Sequence, residues 1–269
     1  MDLKRKNIIT SGRDILAFFL FTGIIVVLLW IGTSQLGYNW QWYRVPKYLY
    51  TVKEGTFYPG RLLQGVALTI KISVTGLGLS FLFGLVTALL RLSHSVTGRA
   101  LSRVYLEAIR NTPLLIQLFF IYFVVSPIIQ IGPFFSAVLA LSLFEGAYAS
   151  EIIRSGIVSI PKGQWESAYS LGLGLVNTYR FVILPQAFRQ ILPTLTSQGI
   201  SLIKDSALVS TIAIYDLTMQ GRAIVSETFL AFEIWFTVAA IYLILTLTLS
   251  MVVHILESRF SVRESQVRI

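Results

Sequence analysis

The first residue whose type and position could do chemistry is Glu145, a carboxylate near the middle of the apolar stretch Phe134 to Ile153. A charge inside hydrocarbon is costly unless it is paired, protonated or hydrated. Glu145 is therefore either a contact for a polar solute or a hydrogen-bonded structural residue. Lys204 and Asp205 pose the same choice in a second apolar stretch, as residues lining a path or as an ion pair at a helix break. Glu151 and Arg154 lie at i, i+3 near a helix end and read as a structural pair or as contacts to the next loop.

Other chemistries find no residues to carry them. The chain has no cysteine, and His94 and His254 stand far apart, so neither a disulfide nor a metal centre is expected. No phosphate-binding G-x-x-x-x-G-K-[ST] sequence and no H-E-x-x-H sequence occurs, and two isolated histidines suggest no Ser-His-Asp set. The expectation is a chain with no catalytic residue of its own. If it moves solute uphill, the energy comes from an ion gradient or from a partner ATPase. Only one span looks broken, whereas ion-coupled carriers usually show matching broken helices in two halves, which favours the partner.

The elements that position these residues follow from composition. Hydrophobic residues make up 55% of 269 and charged residues 13%, and the mean hydropathy is +0.72. That exceeds what a soluble core needs and marks an integral membrane protein. The net charge of +9 belongs to basic residues beside apolar runs, so it reports membrane topology rather than nucleic-acid binding. Six spans are expected: 15–33, 65–90, 111–130, 134–153, 190–215 and 234–256. The arginines at 91, 99, 103 and 110 read as a short cytoplasmic loop, and both termini are expected in the cytoplasm. Residues 34–64, rich in tryptophan and tyrosine, read as an extracytoplasmic linker with an interfacial aromatic belt. The fifth span contains Pro193, Gly199, Lys204 and Asp205 and is expected to be broken. The partition is 1–33 for the basic tail and first helix, 34–64 for the linker, 65–260 for the core and 261–269 for a cytoplasmic tail.

Pro161 to Pro185 is neither a span nor a plain linker. Trp165, Ala168, Tyr169 and Gly172 share one helical face, and Lys162, Gln164 and Glu166 share the other. Gly172 and Gly174 bracket a turn, and Leu175, Tyr179 and Val182 recur at helical spacing until Pro185. Periodicity alone allows an interfacial helix pair or a docking element.

Glu166-Ser167-Ala168, Gly172 and Val182-Ile183-Leu184-Pro185 resemble the EAA loop of ABC-importer permeases, E-A-A-x3-G-x9-I-x-L-P, with Ser167 for Ala and Val182 for Ile. Arg110 to Gln117, Gly146-Ala147-Tyr148 through Gln164, and Lys204 to Leu208 are similar to the branch carrying polar amino acids. The resemblance implies an all-α type I importer permease, with a five-helix core plus one extra N-terminal transmembrane helix, in a bacterial inner membrane. It implies as partners an ABC ATPase dimer that binds ATP and Mg, an extracytoplasmic solute-binding protein, a second permease subunit, lipid and an amino acid substrate. Within the loop, Trp165, Glu166, Ala168, Gly172, Tyr179, Arg180 and Pro185 are the expected ATPase-coupling residues. Charge and burial make Glu145, Lys204 and Asp205 the expected substrate path, with Gln117 and Ser206 of the resembling motifs placed beside them. Two alternatives remain, a membrane scaffold or sensor that docks an ATPase without transporting and an ion-coupled secondary carrier.

Overall fold

The computed structural model describes residues 12–35 and 37–261. They fall into two units, divided between Trp42 and Tyr43. In the first, α1 (Gly12–Gln35) is about 36 Å long at 1.5 Å per residue, enough to span a bilayer core. The basic residues Lys4, Arg5 and Lys6 and the C-terminal Arg263 and Arg268 lie outside the described residues.

The second unit opens with a short helix, α2 (Pro46–Leu49), and a hairpin that the all-helical expectation did not include. Strands β1 (Tyr50–Lys53) and β2 (Thr56–Pro59) pair antiparallel, Thr51 opposite Tyr58 and Val52 opposite Phe57. Glu54 and Gly55 both take positive φ, the turn whose twist suits a two-residue hairpin.

Helix α3 (Arg61–Leu92) is the spine of the bundle. Leu62 belongs to one apolar cluster with Leu217 and Ile234. Ile72 belongs to a second with Leu118 and Leu141, and Ala88 to a third with Ile153 and Ile183. Its main partner is α7 (Pro133–Val158), which the glycine-rich sequence of α3 could not name. The contact is reciprocal: a Cβ on Gly84 would sit 2.8 Å from that of Ala149, and one on Gly146 would sit 2.9 Å from that of Phe83. Small residues here let two backbones approach where helix association relies on packing. Gly65 is similarly tight against Leu217, whereas Gly78 faces open space.

The expected arginine loop is instead largely helical. After Ser93, α4 (Val96–Arg110) begins with Ser95 accepting from the Gly98 N–H at 3.0 Å, a side-chain cap the loop reading overlooked. Gly98, Ser102 and Leu106 form its buried face at i, i+4 and i+8. The chain then bends by 107° into α5 (Leu114–Phe120), a π turn (Ile121–Val125) and α6 (Ser126–Ile129). Pro113 precedes α5 as its cap, so the third span starts later than 111.

Beyond α7 come α8 (Lys162–Ser170) and α9 (Leu175–Asn177). A π turn (Thr178–Ile183) then feeds α10 (Leu184–Asp205) without interruption. Pro185 therefore does not end a helix. It sits where the π turn passes into α10, inside a continuous helical run. Nor does α10 break at Pro193 or Gly199. The Thr196 hydroxyl donates to the carbonyls of Leu192 and Pro193 at 2.5 and 3.0 Å, and Gly199 packs against Leu77 of α3. The break comes after Asp205, in a 3-10 turn (Ser206–Ile212) that ends with Ala213 at φ 56°.

The segment expected as an outer loop holds α11 (Leu217–Thr228), and α12 (Ala231–Ser261) closes the chain. Asp216 caps α11 by accepting from the Met219 N–H at 2.9 Å. Arg61 grips Glu227 with two bonds of 2.6 and 3.0 Å, tying the start of α3 to the end of α11. Among the described residues, α3, α7 and α12 are long and apolar enough to cross a membrane. The bent pair makes a fourth if counted as one span. Helix α10, with Arg189, Lys204 and Asp205, is not among them.

Candidate functional site

Residues 161–185 leave the bundle at the end where α3 and α7 finish, beneath the cluster of Ala88, Ile153, Ile157, Ile183 and Ala187. Pro161 caps α8. Trp165 lies edge-on to Tyr179, ring centroids 5.2 Å apart at 83°, and Ala168 is 2% exposed. These contacts seal the inner face. Gly172 turns the chain at φ 76° with nothing within 4 Å of a Cβ built there, so backbone conformation alone selects glycine. The Schellman-type bonds that close α8 run from the Gly172 N–H to Tyr169 (2.9 Å) and from Leu173 to Ala168 (3.1 Å).

The outer face is left uncovered. Glu166, Arg180 and Pro185 are exposed, and so are the apolar side chains of Tyr169, Leu171, Leu175 and Val176. An uncovered apolar patch rimmed by polar groups suits contact with another protein or with the membrane interface. Burial, and to a lesser degree nearby Tyr169, raise the Tyr179 hydroxyl above the usual phenol range, so it stays a neutral donor.

The second group lies in mid-bundle. Glu145 is 1% exposed, twelve residues into α7. Its Oε2 accepts a short hydrogen bond from the Gln198 amide of α10, and Asp205 acts on the same carboxyl group. Glu145 Oε1 has no hydrogen-bond partner among the described residues. Two helices thus bring a pair of carboxyl groups and an amide donor together in an apolar setting. Sequence reasoning missed Gln198, although it lies seven residues, two helical turns, before Asp205 and so on the same face. It also passed over Lys71, a cation within α3 whose ammonium sits 5.2 Å from the Phe134 ring centroid.

The other expected path residues do not join this group. Lys204 is exposed and makes no ion pair with Asp205 among the described residues. Gln117 clamps the bend between α4 and α5, its amide donating to the carbonyls of Ile109 (2.7 Å) and Thr112 (2.9 Å). Ser206 is buried and donates to the Ile203 carbonyl at 2.7 Å. Glu151 proves richer than an i, i+3 pair. Besides Arg154 at 3.2 Å it engages Arg91 of α3, with Arg110 at 3.5 Å.

The chain has counterparts among known proteins. Residues 80–262 fit the binding-protein-dependent transport system inner membrane components. The chain belongs to that family. It is 40% identical over 204 residues to the glutamine transport system permease protein GlnP of Escherichia coli, covering 75% of this chain and 93% of that one. Over 220 residues it is 42% identical to the L-cystine transport system permease protein TcyB of Bacillus subtilis, covering 76% and 92%. A crystal structure of an amino acid ABC transporter with histidines superposes with a TM-score of 0.68 at 38% identity, over 74% of this chain and 94% of that one. The MetNI methionine ABC transporter, at 19% identity and a TM-score of 0.65, shares the fold. The chain is an all-helical permease of the type I importer kind apart from its small hairpin.

Proposed function

We propose that this permease forms the translocation path for a polar or charged amino acid and is driven through residues 161–185 by a separate ATPase. The observation that carries the reading is continuity. The segment with the uncovered apolar knob runs through a π turn straight into α10, and α10 delivers Gln198 and Asp205 to Glu145. Movement of a docked partner is thereby passed to the mid-bundle group as rigid-body tilt. The carboxyl pair and amide suit the ammonium group of an amino acid, and relatives that transport glutamine and cystine support that substrate class.

In this reading Trp165, Ala168 and Tyr179 stiffen the connector, Glu166 and Arg180 key it to the ATPase, and Gly172 and Pro185 set its entry and exit. Glu145, Gln198 and Asp205 face solute, Lys204 stands at the path's edge, and Gln117 and Ser206 hold the walls. ATP and Mg belong to the ATPase dimer. A solute-binding protein and a second permease subunit, a copy or a paralogue, complete the assembly. Both termini, and the end of the bundle bearing residues 161–185, face the cytoplasm.

Reconstitution of the chain with its ATPase and binding protein in proteoliposomes tests this. The expected result is ATP-dependent uptake of a labelled polar amino acid, abolished by Glu166→Lys without loss of the protein from the membrane. ATPase stimulation with no uptake of any amino acid makes the chain a scaffold, and uptake by the chain alone under an ion gradient makes it a secondary carrier.

A further inference from the structure

The end of α3, helix α4 and the second half of α7 bound a cleft of about 570 Å³. Three elements send arginines into it: Arg91 from α3, Arg99, Arg103 and Arg110 from α4, and Arg154 from α7. Two carboxylates, Glu107 and Glu151, stand against them, which leaves a surplus of three positive charges. Both carboxylates already have partners. Glu151 is shared by Arg91, Arg110 and Arg154, and Glu107 accepts from the Asn111 amide at 2.8 Å. Arg99 donates only to the Ser93 carbonyl, at 3.2 Å. Arg103 makes no side-chain hydrogen bond or ion pair among the described residues.

Converging guanidinium groups suit an oxyanion, because each planar fork donates two parallel N–H bonds. A carboxylate offers two oxygens in one plane. A phosphomonoester offers three about a tetrahedral centre and carries close to two negative charges at neutral pH, so it matches both the charge surplus and forks that arrive from different walls. Helix geometry keeps an acyl chain out. At about 100° per residue, Arg99, Arg103, Glu107 and Arg110 lie within an arc of about 80° on α4. The exposed Leu101 and Val104 lie on its far side and do not line the cleft. No residue of 161–185 lines it either, so it stands apart from the surface proposed for the ATPase. We propose that this cleft binds a small soluble phosphomonoester. Held by Arg99 and Arg103 on one wall and by Arg91 and Arg154 on the others, the ligand ties α4 to α3 and α7.

That the ligand comes from the cytoplasm rests on the orientation proposed above. Binding is read without ATPase or transported solute, so failure here and failure of coupling are separate results. The full-length chain, purified in detergent, is titrated by calorimetry with glycerol 3-phosphate, and with succinate as a carboxylate dianion. Glycerol 3-phosphate is expected to fill one site per chain with a Kd of about 1 mM or tighter at low salt, weakening as salt rises. Succinate should bind about tenfold more weakly or worse. Arg99→Gln with Arg103→Gln should weaken glycerol 3-phosphate binding by about tenfold or more. Both side chains are exposed, so the melting temperature without ligand should hold. Arg103→Gln alone, which removes no side-chain contact, should weaken binding as well, and Arg222→Gln on α11, outside the cleft, should leave it unchanged. Absence of saturable binding, equal affinity for succinate or undiminished binding in the double variant overturns the proposal. Displacement of glycerol 3-phosphate by phosphatidylglycerol added to the micelles overturns it too and gives the cleft to a lipid headgroup.

Discussion

Trp165 and Tyr179 meet edge to face across the turn that contains Gly172, with centroids 5.2 Å apart, and so fasten α8 to the root of α10. Such a pair contributes about 1 kcal/mol beyond the area it buries. Trp165→Ala should leave the protein in the membrane at normal levels while stimulation of ATP hydrolysis by the permease falls. Preserved stimulation with preserved uptake would remove the pair from the connector.

At Gly172 the strain of a side chain comes only from φ 76°, because the space around it is open. Asparagine tolerates that conformation and valine does not. The expected order of residual uptake is Gly172, then Asn, then Ala, then Val, with a cost of about 1 kcal/mol for alanine. An order that follows side-chain volume instead, with Ala ahead of Asn, would show that contact rather than backbone geometry governs the position.

For the mid-bundle group, Glu145→Gln keeps shape and removes charge. ATP-driven uptake should fall about tenfold or more, the weight of one charge-assisted hydrogen bond, while the melting temperature in detergent holds. Gln198→Leu removes the donor that Glu145 accepts from and should cost about 1–3 kcal/mol of stability as well. If Glu145→Gln transports normally, the carboxyl group is structural.

A pH dependence is expected from the opposite end of the molecule. Burial pushes the Asp216 carboxyl up to about 6 from 3.8, against the opposing bonds from Met219 and Tyr242. A folded-state value above the unfolded one means that the folded state binds the extra proton. Stability from this group is therefore full below about pH 4 and lost as pH rises through about 6, by about 2–3 kcal/mol. Asp216→Asn keeps an equally good helix cap and should flatten that part of a melting-temperature profile; an unchanged slope would assign it elsewhere.

The spans of α3 and α7 and the glycine elbow at 172 were legible because long apolar runs and glycine each have a local physical cause. Helix α4 was not, because a run of arginines on one face lowers its apolarity while its buried face consists of Gly98, Ser102 and Leu106. The continuity of α10 through Pro185 and Pro193 was hidden for another reason. Whether an interior proline is carried within a helix depends on the packing around it, which overrides local preference and is not visible in the sequence alone. Of the mid-bundle group, Glu145 and Asp205 announced themselves as charges among apolar residues. Gln198, uncharged, became visible only when α7 lay beside it.

The uninterrupted run of α10 from Leu184 to Asp205 makes it a lever arm about 33 Å long. A swing of about 10° about its root would carry the far tip roughly 6 Å sideways over that length, more than the reach of a hydrogen bond. In the proposed coupling, an unbroken helix would convert a small rocking of its base into the making and breaking of contacts at Glu145.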